Sequence, residues 1–227
     1  MPAYNEVRTI HKVLVAVEAA EVKGMEKEII IVDDFSNDGT RDILRGLESK
    51  YKILYQDQNK GKGAAIRRGF SSASGDIVLV QDADLEYDPQ EYSLLIEPIL
   101  KGDADVVYGS RFVTAFPRRV LYFSHYFANQ TLTFLSNIFT GLNLSDMETG
   151  YKVFTAKAMK EVLPCLKSNR FGIEPELTAQ IAKHGMRVYE VGISYHGRTY
   201  KEGKKIGWKD GLSAIWHIVR FNVFTRK

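Results

Sequence analysis

The sequence has few cysteines, no long apolar run and a small net charge. One cysteine, Cys165, among 227 residues excludes a disulfide framework and a cysteine-based zinc site. No apolar run reaches the roughly 18 residues of a membrane-spanning helix, and nothing predicts a signal peptide. A formal net charge of +3 does not by itself indicate nucleic acid as a partner. With 44% hydrophobic and 26% charged residues, the chain is typical of a globular protein.

Short β-branched runs separated by helical periodicity predict an α/β fold. The predicted strands are Ile29–Val32, Ile53–Tyr55, Ile77–Val80, Val106–Tyr108 and Val188–Val191. The predicted helices are Thr9–Ala20, Asp42–Lys50, Ala64–Ser72 and a segment that starts at Pro89. This alternation indicates a Rossmann-like, mainly parallel sheet flanked by helices. Such sheets bind ligands beyond the carboxyl ends of their strands.

Residues 120–145 contain no Asp, Glu, Lys or Arg. Apolar residues from Phe123 to Leu142 form one stripe of a predicted helix, and polar residues from His125 to Asn137 form another. The pattern fits either a helix packed on the core or a helix lying at a membrane surface.

The chain from Lys201 onwards is basic, with seven Lys or Arg residues against two acidic ones. Trp208, Leu212, Ile215 and Trp216 recur there at helical spacing. A basic amphipathic helix of this kind suits an anionic lipid surface, and a solvated basic face over a packed helix explains it equally well.

Acidic residues follow the third predicted strand, where Asp82 and Asp84 stand at i and i+2, with Glu86 continuing the series. On extended chain the first two side chains point the same way. Their repulsion would be relieved by Mg²⁺ or Mn²⁺, which prefer carboxylate oxygens. The alternative is a solvated acidic loop.

Other polar residues also follow strands or occupy glycine-rich loops. Asp33 and Asp34 end the first predicted strand and could accept hydrogen bonds from a base or sugar, whereas Asp38 and Thr40 have the pattern of a turn and helix cap. The loop Asn59–Gly63 matches neither a P-loop nor a dinucleotide fingerprint, yet Lys60 or Lys62 could face phosphate. The remaining candidates for binding anions or acceptor are Arg111, Asp146, Arg198, Lys204 and Lys205.

Taken together, these motifs resemble the inverting family 2 glycosyltransferases of GT-A fold, and within them the dolichol-phosphate mannose synthase and polyprenyl-phosphate glycosyltransferase branch. The motifs are Pro2-Ala3-Tyr4-Asn5-Glu6, Val32-Asp33-Asp34, Asp82-Ala83-Asp84, Gly109-Ser110-Arg111, Asp146 with Gly150-Tyr151, and Arg198 with Lys204-Lys205. The likeness spans nearly the whole chain. It implies a single domain with a nucleotide-sugar half (1–111), an acceptor half (112–200) and a basic amphipathic segment (201–227).

The resemblance also implies residue roles. Donor binding would involve Pro2, Ala3, Tyr4, Glu6, Val32, Asp33, Asp34, Lys62, Asp82, Ala83, Arg111, Arg198, Lys204 and Lys205. The metal, Mg²⁺ or Mn²⁺, would be held by Asp82, Asp84 and Glu86. Asp84, Asp146, Arg111 and Arg198 would serve catalysis, and Arg119 and Ser124 would lie near the acceptor phosphate.

The implied reaction is inverting transfer of a hexose from a GDP-mannose or UDP-glucose type donor to a polyprenyl or dolichyl phosphate. Two alternatives remain: a soluble sugar or protein hydroxyl as acceptor, for which Asp146 would be the base, and a non-catalytic nucleotide-sugar-binding subunit. Nucleic acid is not an expected partner. The expected location is cytoplasmic, in peripheral contact with the cytoplasmic face of a membrane.

One departure from the family pattern concerns the sheet. The family's central first strand precedes the Pro-Ala-Tyr-Asn-Glu motif, and here Met1 stands directly before Pro2. A missing central strand leaves backbone groups unpaired and core burial incomplete. Either the N-terminus is truncated, or Met1 is a misassigned start, or the sheet accommodates a gap, and of these we expect truncation.

Overall fold

Strands and helices alternate along the chain as predicted. The computed structural model describes residues 1–113, 119–120, 122–199 and 208–225. The strands are β1 (Pro2–Ala3), β2 (Ile30–Asp33), β3 (Lys52–Tyr55), β4 (Ile77–Leu79), β5 (Val106–Ser110), β6 (Lys152–Thr155) and β7 (Val188–Gly192). All five predicted strands are present to within two residues. The strand β6, whose four residues include a lysine, was not predicted.

The helices are α1 (Ile10–Ala19), α2 (Thr40–Arg45), α3 (Lys62–Ser72), α4 (Tyr92–Leu100), α5 (Phe123–Thr140), α6 (Ala156–Val162), α7 (Ile173–Lys183) and α8 (Trp208–Val219). A 3₁₀ turn, Pro89–Glu91, leads into α4. Helix α2 ends earlier than predicted, because Gly46, a poor helix former, follows Arg45. Asp38 Oδ1 accepts from the amide of Thr40 (3.0 Å), which forms the turn predicted for this pair, whereas the N-cap of α2 is Gly39, which has no side chain to cap the helix.

The strands form two sheets, ordered β1-β2-β3 and β4-β6-β5-β7. The pairs β1–β2, β2–β3 and β5–β7 are parallel. β6 is antiparallel to both β4 and β5. The α/β class and the mainly parallel sheet flanked by helices are confirmed, with β6 as the exception.

A slot separates the two sheets, between β2 and β4. It has a volume of about 510 Å³ and is lined by both strands and by residues of α1, α3 and α4. Where the resemblance predicts a full first strand, β1 supplies two residues, which pair with Val32 and Asp33 at the end of β2.

Helix α5 places its small and polar residues inward and its aromatic residues outward. Leu132, Thr133 and Ser136 are buried. Phe127 and Phe134 are each 63% exposed. Helix α8 packs against α5 and α7. The predicted apolar stripe is therefore an outer face over much of its length, whereas the core packing uses the opposite side of the helix.

Candidate active site

The candidate site lies where the carboxyl ends of β1 and β4 meet. Thr9 Oγ1, after β1, donates a hydrogen bond of 2.8 Å to the carbonyl of Ala83, after β4. In the described parts of the chain, three non-glycine residues have positive φ, namely Asn5 (53°), Phe35 (65°) and Leu85 (62°). Each lies in the loop that follows β1, β2 or β4. Such backbone is uncommon and concentrates at functional sites.

Asp33 and Asp34 organise the loops that follow β2 and β3. Asp34 is 3% exposed, and its carboxylate accepts from the amides of Lys60 (2.8 Å) and Gly61 (2.7 Å). Burial raises the pKa of Asp34, and those two amides oppose the rise. Asp33 accepts from Arg41 Nε at 2.6 Å. Their contact with a nucleoside stays a prediction, because both carboxylates are engaged within the protein.

Lys62 neutralises Asp82. Its ammonium lies 3.0 Å from Asp82 Oδ2 and 3.1 Å from Glu174 Oε1. Glu174 also pairs with the buried Lys152. Burial alone would lower the pKa of Lys62, but the two carboxylates outweigh it and raise that pKa. Lys62 is the first residue of α3 and was predicted to face donor phosphate. In the structure it holds Asp82 in place.

Close packing by a glycine supports this position of Asp82. A Cβ on Gly150 would collide with Asp82 Oδ2. The amide of Gly150 donates to the hydroxyl of Tyr87 at 2.9 Å, which fixes the loop against the site. The lack of a side chain at Gly150 thus leaves space for the carboxylate of Asp82.

Arg198 neutralises Asp84 and Glu86, which follow Asp82 in the loop after β4. Its guanidinium lies 2.9 Å from Asp84 Oδ2, 3.3 Å from Glu86 Oε1 and 3.3 Å from Glu6 Oε2. Burial, followed by repulsion from Asp82 and Glu86, raises the pKa of Asp84 to about 7, although Arg198 opposes this. The cluster therefore carries more negative charge than one arginine offsets.

The donor chemistry of this cluster suits a hard divalent cation that arrives with a diphosphate. Among the described residues no group of three or more His, Cys, Asp or Glu side chains is arranged as a metal site. Mg²⁺, however, usually takes only one or two carboxylates and completes its shell with water and phosphate oxygens. Asp82 and Asp84 supply two such carboxylates, but their role as ligands stays a prediction, because Lys62 and Arg198 engage them here. Glu86 as a ligand stays a prediction, since its carboxylate accepts from Tyr195 and Arg198.

Arg111 and Asp146 form a buried bidentate ion pair. Arg111 Nε lies 2.6 Å from Asp146 Oδ2, and Nη2 lies 2.7 Å from Oδ1. Asp146 is fully buried, and its own amide donates to Glu190 Oε1 at 3.1 Å. With both carboxylate oxygens held by the guanidinium, Asp146 is arranged to position Arg111 rather than to accept a proton.

The remaining predicted site residues differ in their exposure and contacts. Ala3, Val32 and Ala83 are buried, Pro2 is half-buried, and Tyr4 is 37% exposed. Arg119 donates to the carbonyl of Gly197 at 3.1 Å and so adjoins the segment that carries Arg198, while Ser124 is exposed at the start of α5. Lys204 and Lys205 lie outside the described residues.

Four residues that support the site were not among the predicted site residues: Lys152, Glu174, Glu190 and Tyr195. Lys152 could have been found as the charged residue next to the Gly150-Tyr151 motif, whereas Glu174 lies next to none of the motifs given above. Glu190 lies on β7 and Tyr195 just beyond it, and neither belongs to a motif that indicates its partner.

Comparisons with known proteins agree with this geometry. The sequence profile described as "Glycosyl transferase family 2" matches residues 1–163. A dolichol-phosphate mannosyltransferase of Pyrococcus furiosus is 39% identical over 115 residues, which is 50% of this chain and 32% of that protein. An undecaprenyl-phosphate mannosyltransferase of Micrococcus luteus is 27% identical over 233 residues, covering 100% of this chain and 93% of that protein.

Among solved structures, glucosyl-3-phosphoglycerate synthase from Mycobacterium tuberculosis has the same fold. Its TM-score is 0.72 at 22% identity, covering 100% of this chain and 80% of that one. Another structure of that enzyme contains Mn²⁺, uridine-diphosphate-glucose and phosphoglyceric acid, and matches with a TM-score of 0.71 at 21% identity, over 97% of this chain and 77% of that one. The profile match covers most of the chain, and the chain therefore belongs to glycosyl transferase family 2.

Proposed function

We propose that this protein transfers a hexose, with inversion, from a nucleotide-diphosphate sugar to a polyprenyl or dolichyl phosphate. The observation that carries the transfer is the carboxylate cluster at the end of β4, where Asp82 and Asp84 face the cations Lys62 and Arg198. The names of the Pyrococcus and Micrococcus relatives support a lipid phosphate as acceptor.

Asp82 and Asp84 are the residues that would hold Mg²⁺ or Mn²⁺. Bound there, the cation would offset the negative charge that develops on the departing nucleoside diphosphate. Lys62 keeps Asp82 in place, and Arg198 already lies within reach of the same charge. Electrostatic stabilisation of this kind is usually the largest single contribution to catalysis.

The acceptor side of the proposal needs no general base. A lipid phosphate is already anionic near neutral pH, so the oxygen that attacks the anomeric carbon carries no proton to remove. Arg111, fixed by Asp146, and Arg119, beside Gly197, are the cations available to orient that phosphate. A hydroxyl acceptor would require a base, and the carboxylate of Asp146 is engaged by Arg111.

A partition assay tests the function. The protein would be incubated with Mn²⁺, dolichyl or undecaprenyl phosphate, and radiolabelled GDP-mannose, UDP-glucose or UDP-GlcNAc in turn. We expect label from one donor to enter the organic phase, and excess chelator to abolish the transfer. Label that stays in a new aqueous product would favour the soluble-acceptor alternative, which the structural likeness to a phosphoglycerate-using enzyme makes worth testing. Donor binding without any turnover would favour the non-catalytic alternative.

Membrane contact is the second part of the proposal. Helices α5 and α8 pack together, and apolar side chains on both are exposed: Phe123, Phe127, Phe134, Ile138, Leu212 and Trp216. Exposed aromatic and aliphatic side chains on amphipathic helices suit insertion into the interface of a bilayer. No helix among the described residues is long and apolar enough to cross a membrane. We propose a peripheral association with the cytoplasmic face.

Liposome flotation tests this contact. The double substitution Phe127→Ser with Phe134→Ser is expected to lower the fraction bound to anionic vesicles at least about 10-fold, because each buried Phe contributes roughly 1.5–3 kcal/mol. Leu100→Ser is the matched control, since Leu100 is 54% exposed at the end of α4. Equal binding by the double variant and the control would contradict a membrane role for α5.

A further inference from the structure

Glu148 is the middle residue of a loop that joins the two sides of the candidate site. Asp146, two residues earlier, forms the buried ion pair with Arg111. Gly150, two residues later, packs against the carboxylate of Asp82. The charged groups that act on the Glu148 carboxyl are those of Glu174, Lys152, Arg111 and Asp146.

One carboxyl oxygen of Glu148 is left without a partner by the folded chain. Oε1 is buried, and no donor among the described residues forms a hydrogen bond to it. The residue as a whole is only half-buried, so part of it is open to the surface. Burial, followed by repulsion from Glu174, raises the pKa of Glu148 to about 7. A buried carboxyl oxygen without a hydrogen bond costs free energy, and such an atom in a native structure calls for an explanation.

Lys152, which lies near Glu148, directs its hydrogen bonds elsewhere. An ammonium group has three N–H donors. Those of Lys152 go to the carbonyls of Met147 (3.1 Å) and Thr149, which flank Glu148, and to Glu174 Oε2. The loop is thereby fixed around the ammonium group, while the Glu148 carboxyl keeps its capacity to accept.

The position of the loop indicates which part of a bound substrate would reach Glu148. In the proposed reaction the diphosphate departs on the side of Asp82, and Arg111 orients the acceptor phosphate on the other side. The hexose lies between the two phosphates, because its anomeric carbon exchanges an oxygen of one for an oxygen of the other. A carboxylate repels both phosphates, whereas the neutral hydroxyls of a hexose are hydrogen-bond donors.

We propose that Glu148 Oε1 accepts a hydrogen bond from a hydroxyl of the transferred hexose and thereby contributes to sugar recognition. The inference rests on the proposed function and deepens it. Glu148 removes no proton in this role. It supplies the acceptor that the hydroxyl loses when the sugar leaves water.

Calorimetry in the presence of Mn²⁺ at pH 8 tests the proposal. The ligands are GDP-mannose, UDP-glucose and UDP-GlcNAc, each compared with GDP or UDP alone. We expect Glu148→Ala to weaken binding of the nucleotide sugar at least about 10-fold, because hydrogen bonds to charged groups are among the stronger ones. Glu148→Gln, which keeps a neutral acceptor, should have an intermediate effect. Binding of the nucleoside diphosphate alone should change less than about 2-fold in both variants.

Thr149→Val is the matched control. It removes another buried oxygen without a hydrogen-bond partner among the described residues, from the same loop, and it leaves the Glu148 carboxyl in place. Both affinities should then equal those of the unsubstituted protein.

Thermal melts without ligand separate this role from a structural one. Because the folded chain does not pair Glu148 Oε1, Glu148→Gln should leave Tm unchanged or raise it. Equal losses of affinity for nucleotide sugar and nucleoside diphosphate, together with a Tm lower by more than about 5 °C, would overturn the inference and leave the proposed function intact. An unsubstituted protein that binds none of the three nucleotide sugars would overturn both.

Discussion

Asp84→Asn is expected to lower kcat for sugar transfer at least about 100-fold, the usual effect of removing one preorganised charge contact. The substitution removes the negative charge that faces Arg198 at 2.9 Å and a ligand of the proposed cation. Mn²⁺ affinity, measured by calorimetry, should fall with it. Because the pKa of Asp84 is raised to about 7, Mn²⁺ binding to the unsubstituted protein should strengthen from about pH 6 to about pH 8, and this dependence should weaken in the variant.

Asp103→Asn is the control for this experiment, since Asp103 is an exposed aspartate in the turn after α4. It should leave both kcat and Mn²⁺ binding unchanged. Full turnover by Asp84→Asn, or by the unsubstituted protein in excess chelator, would rule out the assigned role.

Asp146→Asn is expected to destabilise the fold by about 3–5 kcal/mol, because it leaves the buried guanidinium of Arg111 without its partner. For a chain of this size the corresponding fall in Tm is about 6–20 °C. Urea unfolding and a thermal melt would measure the change. Asp42→Asn is the matched control, because the Asp42–Arg45 pair is exposed and contributes at most about 1 kcal/mol.

A double substitution separates stability from function at the same pair. Arg111→Met with Asp146→Leu replaces the ion pair by apolar side chains and should recover much of the lost stability. Sugar transfer should not recover, because the double variant lacks Arg111, one of the two cations proposed to orient the acceptor phosphate. A double variant that regains transfer would show that the pair is only structural.

The sequence was informative about local structure. β-branched runs located β2, β3, β4, β5 and β7, because β-branched side chains favour the pleated strand. Helical periodicity located α1, α3 and α4 in the same way. The strand β6 was not predicted, since its four residues include Lys152, and helical periodicity extended α2 beyond its end at Arg45.

The sequence identified the charged residues of the site and did not identify their partners. The motifs identified Asp82, Asp84, Arg111, Asp146 and Arg198 as candidates, since each follows a strand or lies in a glycine-rich loop. They did not indicate that Lys62 pairs with Asp82, or that Arg111 pairs with Asp146. Those contacts join residues far apart along the chain.

The chain by itself determined most of the strands and helices, the family and the residue types at the site, because propensity, periodicity and motif spacing can be read from the sequence. Only the tertiary structure decided which carboxylate faces which cation, which face of α5 is exposed, and that a slot separates β2 from β4. Those outcomes depend on how distant segments pack, and the energies of burial and charge pairing are set by that packing.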